Sequence, residues 1–286
     1  MRRFFEHWNI KVWSRRGRCL LAVMAMGLLM IGLTAGCGTQ ASNQDGAKTI
    51  VVGTGHAYEP YCYLDADGNL TGYDIAVLKA VNELLPQYKF EFQTYDFANV
   101  LMALDSGKVD FAAHQYEVND ERKAKYLFGD ESYTTYTTHV TVAAGNTAVH
   151  SLADLAGKKV MVPTGSNKAF LLEKYNREHP EQPVVIVYTQ DAPDEQVANG
   201  LVHGVWDATL LTKRDMAKLN KAFGNGQDIL KQVGEPFSTS RTYFVFKQGD
   251  SELQQAVDGA LQELKASGRL AEISREILGD DYTESE

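Results

Sequence analysis

Residues 74–94 have the sequence DIAVLKAVNELLPQYKFEFQT, and this stretch decides the fold. In Asp74–Leu85 the apolar residues recur at helical spacing, whereas Tyr88–Thr94 alternates as a strand does. The β-branched run Thr49–Thr54 comes before this pair and predicts a buried strand. A further helix and strand are predicted after it, at Phe97–Leu104 and Val109–Ala113. This β-α-β-α-β order predicts parallel strands joined by crossover helices.

A second α/β unit follows in the later part of the chain. Its predicted strands are Lys159–Pro163, Val184–Tyr188 and Ala208–Leu211. Its predicted helices are Asn167–Tyr175 and Asp194–Val202, whereas the polar residues 220–234 are predicted to be a loop. One strand and two helices are predicted after it, at Tyr243–Phe246, Leu253–Leu264 and Leu270–Ile277. Two α/β units in series predict two lobes that face each other across a cleft, where ligands bind outside the carboxyl ends of the strands.

The first 36 residues predict an export signal rather than part of the folded body. Residues 1–18 are basic, residues 19–35 are uncharged and apolar, and Leu33-Thr34-Ala35-Gly36-Cys37 resembles the bacterial lipobox in a slightly lengthened form. This resemblance implies cleavage before Cys37 and lipidation of that cysteine, which anchors the mature chain to the outer side of the cell membrane. The polar residues 37–47 would then form a flexible tether. An uncleaved anchor helix is the alternative, because roughly 17–25 apolar residues span a bilayer.

The remainder of the chain is acidic. Of 28 basic and 37 acidic residues, the first 36 positions hold six and one, which leaves a net charge near −14 for the rest. Such a body argues against nucleic acid as a partner, because phosphate backbones attract basic surfaces. Of the three cysteines, Cys19 leaves with the signal, Cys37 is lipidated and Cys62 stays alone. No intramolecular disulfide is therefore predicted, and Cys62 is expected to be a small buried side chain.

Several separated motifs resemble the polar-amino-acid substrate-binding proteins of ABC importers, solute-binding protein family 3. The resemblance extends from about Lys48 to Gly279 and rests on the order and spacing of the motifs. The motifs are Tyr58-Glu59-Pro60-Tyr61, Gly72-Tyr73-Asp74-Ile75, Leu104-x2-Gly107-Lys108-Val109-Asp110, Asn119-x-Glu121-Arg122, Leu152-x2-Leu155-x-Gly157-Lys158, Gly165-Ser166 and Asp207-Ala208. Within the family, His114-Gln115-Tyr116 and Lys125-Tyr126-Leu127-Phe128 are most similar to the cystine and sulfur-amino-acid binders.

This resemblance implies an α/β, two-lobed periplasmic-binding-protein-like fold with two β-crossover hinges. The hinges are expected near Thr138–Ala143 and Ser238–Phe244, and the lobes comprise 48–138 with 241–286, and 139–240. Closure of the lobes would capture an amino acid, cystine or another polar or sulfur amino acid, outside the cytoplasm. The chain, a monomer, would then deliver it to an ABC permease and an ATPase that are separate chains, with no cofactor.

The resemblance also implies which residues bind the ligand. Arg122 aligns with the family's carboxylate-binding arginine, and a guanidinium offers two parallel donors to a carboxylate. Gly165-Ser166-Asn167 lies where a helix begins, and the free N–H groups of a helix start attract anions. Tyr58 and Phe97 match the aromatic side chains that flank the aliphatic part of the ligand.

Polar residues at the end of a predicted strand complete the expected site. His114 and Gln115 are expected to add hydrogen-bond donors for a polar ligand. Glu117 stands where many relatives have Ser or Thr, and Thr212 where many have an aspartate that binds the ammonium. The ammonium therefore needs another partner, which is Glu117, or Asp215 if the loop after the motif Asp207-Ala208 has a different register.

Three other functions are alternatives to an importer subunit. Some members of this fold are secreted dehydratases, and Glu117 beside His114 would act as acid and base. No enzyme is predicted, because the sequence has no G-x-S-x-G motif and no cysteine with an activating partner. Metal capture would use His56, Glu59, His114 and His139, whose spacing matches no ligand motif. A ligand-sensing module would have to act through a separate membrane partner, since no second apolar span of about 20 residues follows the first.

Overall fold

The computed structural model describes residues 46–283. The predicted signal peptide (1–36), the lipidation site Cys37 and all but the end of the predicted tether (37–47) lie outside this range. Within the described range, no helix has the length and apolarity needed to cross a membrane.

Strands and helices alternate through most of the described chain. The strands are β1 (Lys48–Thr54), β2 (Ala57–Tyr58), β3 (Cys62–Leu64), β4 (Leu70–Thr71), β5 (Tyr88–Thr94), β6 (Phe111–Glu117), β7 (Tyr126–Phe128), β8 (Thr134–Ala143), β9 (Lys159–Pro163), β10 (Val185–Thr189), β11 (Ala208–Leu211) and β12 (Leu230–Lys247). The α-helices are α1 (Tyr73–Glu83), α2 (Phe97–Asp105), α3 (Asp120–Lys125), α4 (Asn167–Glu178), α5 (Asp194–Val202), α6 (Lys213–Phe223), α7 (Ser251–Ala266) and α8 (Arg269–Leu278). A 3-10 turn over Leu152–Leu155 precedes β9. The predicted α/β class is confirmed.

Nine of the described strands form one sheet, and the other three form a separate sheet of order β2-β3-β4. The order of the nine-stranded sheet is β10-β9-β11-β8-β12-β6-β1-β5, with β7 paired to β12 beside this path. β1 pairs in parallel with β5 and β6, and β9 pairs in parallel with β10 and β11. The long strands β8 and β12 lie between these two parallel groups and pair with each other in antiparallel fashion.

Two sets of elements pack around the two parallel groups, and we call them the first and second lobes. The first lobe contains β1–β7 with α1–α3, α7 and α8, and the second contains β9–β11 with α4–α6. In the first lobe the buried side chains of α1, including Ile75 and Leu78, pack in one core with Phe111 of β6. In the second lobe Val160 and Leu172 belong to a separate core. Each lobe therefore has its own apolar interior.

β8 and β12 connect the lobes. Thr134–Thr138 pairs with β12 on one side of an irregularity, and Val140–Ala143 pairs with it on the other. The register shifts between Val233 and Ser238. Gly234 lies in this interruption with φ of 70°, a left-handed conformation that glycine adopts without the penalty of a Cβ atom. The two predicted crossovers fall on these two long strands.

One predicted strand extends farther than the sequence pattern indicated. The strand predicted at Val109–Ala113 is Phe111–Glu117 in the structure, because its last residues pair with β12. His114, Gln115 and Glu117 therefore lie within β6 rather than beyond its end. All three are buried.

The prediction of a loop at residues 220–234 is wrong. α6 (Lys213–Phe223) extends into this segment, and β12 begins at Leu230. The side-chain oxygen of Asn220 accepts hydrogen bonds from the backbone N–H groups of Ile229 and Leu230, at 3.1 and 2.9 Å. A polar side chain that satisfies backbone donors can order a turn whose composition resembles that of a loop.

Candidate functional site

A cavity of about 500 Å³ lies between the two lobes. Its volume falls within the range of roughly 300–1,000 Å³ that is typical of small-molecule sites. Eight of the ten predicted ligand residues line it: Tyr58, Phe97, His114, Gln115, Glu117, Arg122, Ser166 and Asn167. The remaining two, Gly165 and Thr212, do not line the cavity but form hydrogen bonds to residues that do.

Arg122 is a buried cation of the first lobe, with 7% of its surface exposed. Its backbone N–H donates to the side chain of Asn119, the cap of α3, at 2.9 Å. Nη1 donates to the carbonyl oxygen of Glu117 at 2.9 Å, and Nη2 donates across the cleft to the carbonyl oxygen of Gly165 at 2.8 Å. The guanidinium carbon lies 5.1 Å from the centre of the Tyr116 ring. Because a guanidinium has five N–H donors, these contacts leave donors for a ligand carboxylate.

The turn Gly165-Ser166-Asn167 presents the start of α4 to the first lobe. The Ser166 hydroxyl accepts a hydrogen bond from the N–H of Ala169 at 3.2 Å and so caps the helix. Asn167 Nδ2 donates to Glu117 Oε1 at 3.1 Å, and Asn167 Oδ1 accepts from Asn119 at 3.1 Å. The positive end of the α4 dipole thus lies beside the cleft, where it favours a bound anion.

His114 lies among aromatic side chains. Its ring stacks on Tyr58 with 5.8 Å between the centroids and meets Phe97 edge-on at 4.9 Å. Burial lowers the pKa of His114 to about 4, so the imidazole is neutral at neutral pH. Gly55 makes room for it, because a Cβ atom there would lie 2.2 Å from His114 Nε2. The aromatic part of the site is therefore uncharged.

Glu117 and Asp215 are the buried acids of the cavity. Glu117 Oε1 already accepts hydrogen bonds from Asn167 and from the hydroxyl of Ser240. Asp215 Oδ2 accepts from the hydroxyl of Thr212 at 2.8 Å, whereas its buried Oδ1 has no hydrogen-bond partner among residues 46–283. A buried carboxylate oxygen without a donor is unfavourable. Asp215 is therefore better suited than Glu117 to receive a ligand ammonium, and Thr212 serves as the cap of α6.

Gln115 is held in place by Asp74, which is fully buried. Gln115 has φ of 52°, which is uncommon for a residue other than glycine. Its Nε2 donates to Asp74 Oδ1 at 2.5 Å, and its backbone N–H donates to the hydroxyl of Tyr133 at 3.1 Å. Burial raises the pKa of Asp74 to about 7, although the hydrogen bonds from Gln115 and Tyr133 act in the opposite direction. The hydrogen bond to the buried Asp74 fixes the orientation of the Gln115 amide.

Two basic residues of α6 reach from the second lobe to the first. Lys218 Nζ donates to the carbonyl oxygen of Glu59 at 2.8 Å. Arg214 Nε donates to the hydroxyl of Tyr61 at 3.1 Å, and the guanidinium carbon lies 3.7 Å from the centre of the Tyr282 ring. With the bond from Arg122 to the second lobe, these contacts hold the cleft in a closed arrangement.

The sequence prediction missed several residues that line the cavity or shape it. Lys168 lines the cavity, and its position directly after the predicted turn Gly165-Ser166-Asn167 could have indicated this. Asp191 accepts a hydrogen bond from the backbone N–H of Phe97 across the cleft at 3.1 Å. The hydroxyl of Tyr136, a residue of β8, lies 2.6 Å from that of Tyr58. No local motif indicates Tyr136, because the fold alone brings it to the cavity.

The residues of the metal alternative and the free cysteine have ordinary surroundings. His56 Nε2 lies 3.9 Å from Asp96 Oδ1, and His114 packs between aromatic rings. Within the described part of the chain, no group of three or more His, Cys, Asp or Glu residues could hold a metal ion. Cys62 is a buried free thiol.

Comparison with known proteins gives a consistent result. A family model described as bacterial extracellular solute-binding proteins, family 3, matches residues 50–280. The L-cystine-binding protein TcyK of Bacillus subtilis (strain 168) is 36% identical over 269 residues, which cover 93% of this chain and 98% of that protein. The solved structure named "Putative L-Cystine ABC transporter from Listeria monocytogenes" is 39% identical, with a TM-score of 0.75, and the match covers 82% of this chain and 98% of that one.

A third protein extends the range of similar structures. It comes from work on glutathione import in Gram-positive bacteria via GshT and the cystine ABC importer TcyBC of Streptococcus mutans. It is 27% identical, with a TM-score of 0.74, and the match covers 84% of this chain and 98% of that one. These similarities confirm the predicted family and two-lobed fold, and they confirm a binding protein rather than an enzyme. The chain belongs to the bacterial extracellular solute-binding proteins, family 3.

Proposed function

We propose that this chain captures cystine, or a closely related amino acid, outside the cytoplasmic membrane and delivers it to an ABC importer. The observation that carries the proposal is the closed cavity with a buried guanidinium, Arg122, and a buried carboxylate oxygen on Asp215 that lacks a donor. An amino acid has a carboxylate and an ammonium, and a buried site must satisfy both charges. Arg122 and Asp215 offer the two complementary charges.

In the proposed complex, the ligand carboxylate binds Arg122 and the start of α4 at Ser166 and Asn167. The ammonium binds Asp215, and the aliphatic part packs against Tyr58 and Phe97. Charge-assisted hydrogen bonds to a guanidinium are stronger than those between neutral groups, so Arg122 would supply much of the affinity. His114 and Gln115 would contact the ligand side chain as uncharged groups.

Cystine is the leading candidate ligand because similar proteins are named as cystine-binding proteins. TcyK and a second B. subtilis relative, TcyJ, are both L-cystine-binding proteins and are each 36% identical to this chain. Other relatives have other ligands: ArtP of B. subtilis, an arginine-binding extracellular protein, is 27% identical. A related polar amino acid is therefore the second candidate.

Thermal unfolding of the full-length chain in detergent tests this ligand. The chain is first freed of carried-over ligand by unfolding and refolding, and is then titrated with cystine, cysteine, arginine, glutamine and glutathione in the absence of reductant. A ligand at a hundred times its dissociation constant adds about 2.7 kcal/mol, which raises Tm by roughly 5–11 °C for a domain of this size. We expect the shift with cystine. A shift with another amino acid alone would discard cystine, and no shift with any compound would overturn the proposal.

The site of membrane attachment is Cys37 in this proposal, with the signal peptide 1–36 removed and residues 37–47 as a tether. Palmitate labelling of cells that express the chain tests it. We expect Cys37→Ser to lose the label and to release the chain, whereas Cys62→Ser, which alters a buried thiol, should keep the label. Label retained by Cys37→Ser would contradict lipidation at this residue.

Delivery requires motion of the two lobes, with 48–138 and 241–286 closing on 139–240 about the two long strands. The closed monomer would present its surface to a permease that acts with a separate ATPase. Uptake of labelled cystine by cells that lack the gene tests this step. We expect the intact chain to restore uptake and Arg122→Met not to do so, although both chains should be exported equally well.

A further inference from the structure

Besides Arg122, two lysines line the cavity, and the binding mode described above assigns no role to one of them, Lys168. Lys168 is the second residue of α4, and its side chain is half-buried at the cavity surface. Its Nζ lies 5.6 Å from the centre of the Tyr136 ring. Among residues 46–283, the Nζ atom of Lys168 has neither a hydrogen bond nor an ion pair. An ammonium that is partly removed from water and forms no ion pair is unfavourable, so the site is suited to an anionic group of the ligand.

Of the three cations that line the cavity, Lys218 pairs with Asp194 at 2.8 Å, whereas Arg122 and Lys168 have similar surroundings. Arg122 lies over Tyr116 at 5.1 Å, as Lys168 lies over Tyr136. Glu117 is close to both: its carbonyl oxygen accepts from Arg122, and its carboxylate acts on the charge of Lys168. Asp215 also acts on Lys168. Each cation is therefore near an acid, which is the pattern that the two charges of an amino-acid group require.

We propose that Lys168 binds a second carboxylate of the ligand, so that the site selects compounds with two amino-acid ends over ordinary amino acids. The inference rests on the proposed function, in which Arg122 binds the first carboxylate. A cavity of about 500 Å³ has room for a ligand longer than a single small amino acid. Lys168 is thus a specificity-determining residue, because a ligand with one carboxylate would leave the Lys168 ammonium without an ion pair.

A matched pair of ligands isolates this contact. Cystine has two carboxylates, whereas the mixed disulfide of cysteine and cysteamine keeps the disulfide and both amines but lacks one carboxylate. Calorimetric titration of the full-length chain in detergent without reductant would give both dissociation constants. We expect Lys168→Met to weaken cystine binding by about 10- to 100-fold, the loss typical of one hydrogen bond to a charged group. We expect the same substitution to change binding of the mixed disulfide by less than about threefold.

Two further variants serve as controls. Lys168→Arg keeps the positive charge and should recover most of the affinity for cystine. Lys174→Met, on an exposed residue of the same helix, should leave both affinities unchanged. If Lys168→Met weakens the binding of both ligands equally, Lys168 has a structural role in the second lobe. If it weakens the binding of neither, Lys168 does not contribute to binding. Either result would overturn the inference.

The result also separates this inference from the proposed function. If the wild-type chain binds single amino acids as tightly as cystine, the chain is still an amino-acid binder but the assignment of Lys168 fails. If the wild-type chain binds no amino acid, the proposed function fails, and the assignment of Lys168 fails with it. A preference for cystine that disappears in Lys168→Met supports both.

Discussion

Arg122 Nη2 and the carbonyl oxygen of Gly165 are 2.8 Å apart across the cleft, so the proposed carboxylate-binding residue also joins the two lobes. Binding and closure therefore depend on the same guanidinium. A ligand carboxylate that binds the remaining N–H groups would strengthen a contact that already favours the closed form.

This relationship predicts that Arg122→Met loses about 100-fold or more in affinity for the ligand, because charged hydrogen bonds to both lobe and ligand disappear. The affinity of Arg122→Lys should lie between that of Arg122→Met and that of the wild type, since an ammonium keeps the charge but does not reproduce the planar guanidinium. Calorimetric titration measures both. Arg275→Met is the control, because that exposed arginine pairs with Asp281 away from the cavity. Affinity within threefold of the wild type in Arg122→Met would contradict the assignment.

The two buried acids give a second prediction. Asp215→Asn should weaken binding by about 10- to 100-fold, because the unpartnered Oδ1 would no longer offer a full negative charge to the ammonium. Glu117→Gln should cost less than about threefold, because Glu117 Oε1 is already occupied by Asn167 and Ser240. Calorimetric titration of both variants with the ligand shows which acid binds the ammonium. A larger loss in Glu117→Gln would restore Glu117 as the ammonium-binding residue.

Much of the fold could be predicted because it depends on local patterns. The alternation in Tyr88–Thr94 and the helical spacing of α1 are properties of adjacent residues, and both elements form where expected. The extension of β6 depended on pairing with β12, which lies far away in the sequence. The helix at Lys213–Phe223 was missed because polar residues separate its few apolar ones.

The same distinction applies to the site. Arg122 was found because a motif of a few residues carries it. Asp215 was only an alternative, because its place in the cavity depends on where α6 begins, and Thr212 sets that start as the cap. Lys168 and Tyr136 come from different lobe-forming segments, and only the folded chain brings them within 5.6 Å.

Two buried titratable groups predict opposite dependences of stability on pH. The pKa of Asp74 is raised by burial to about 7, so the folded state holds a proton that the unfolded state releases above about pH 4. The stability that this proton provides is lost as pH rises to about 7. The pKa of His114 is lowered to about 4, so its contribution is present above about pH 6.5 and is lost as pH falls.

The free energy of unfolding of Asp74→Asn should therefore increase relative to that of the wild type as pH rises from 5 to 8, by about 3 kcal/mol. His114→Gln should lose stability relative to the wild type as pH rises from 5 to 8, by about 2 kcal/mol, because the wild type recovers a penalty that the variant never had. Urea unfolding at each pH measures both differences. Differences that do not change with pH would show that these groups keep ordinary pKa values in the folded chain.

The contacts of α6 with the first lobe predict an effect on ligand release. Arg214 donates to the Tyr61 hydroxyl and lies over the Tyr282 ring, so it stabilises the closed form without lining the cavity. Arg214→Met should raise the dissociation rate constant of the ligand by about tenfold or more, since a hydrogen bond to a charged group contributes about 1.5–3 kcal/mol. The association rate constant should change little, because the ligand enters before these contacts form. Stopped-flow fluorescence measures both rate constants.

Lys221→Met is the matched control for this experiment, since Lys221 is an exposed residue of the same helix. It changes the charge of α6 by the same amount but touches neither Tyr61 nor Tyr282. If both variants release the ligand equally fast, the effect comes from the net charge of α6 rather than from the contact across the cleft. If Arg214→Met slows association instead, Arg214 acts on the open form, and closure does not depend on its bond to Tyr61.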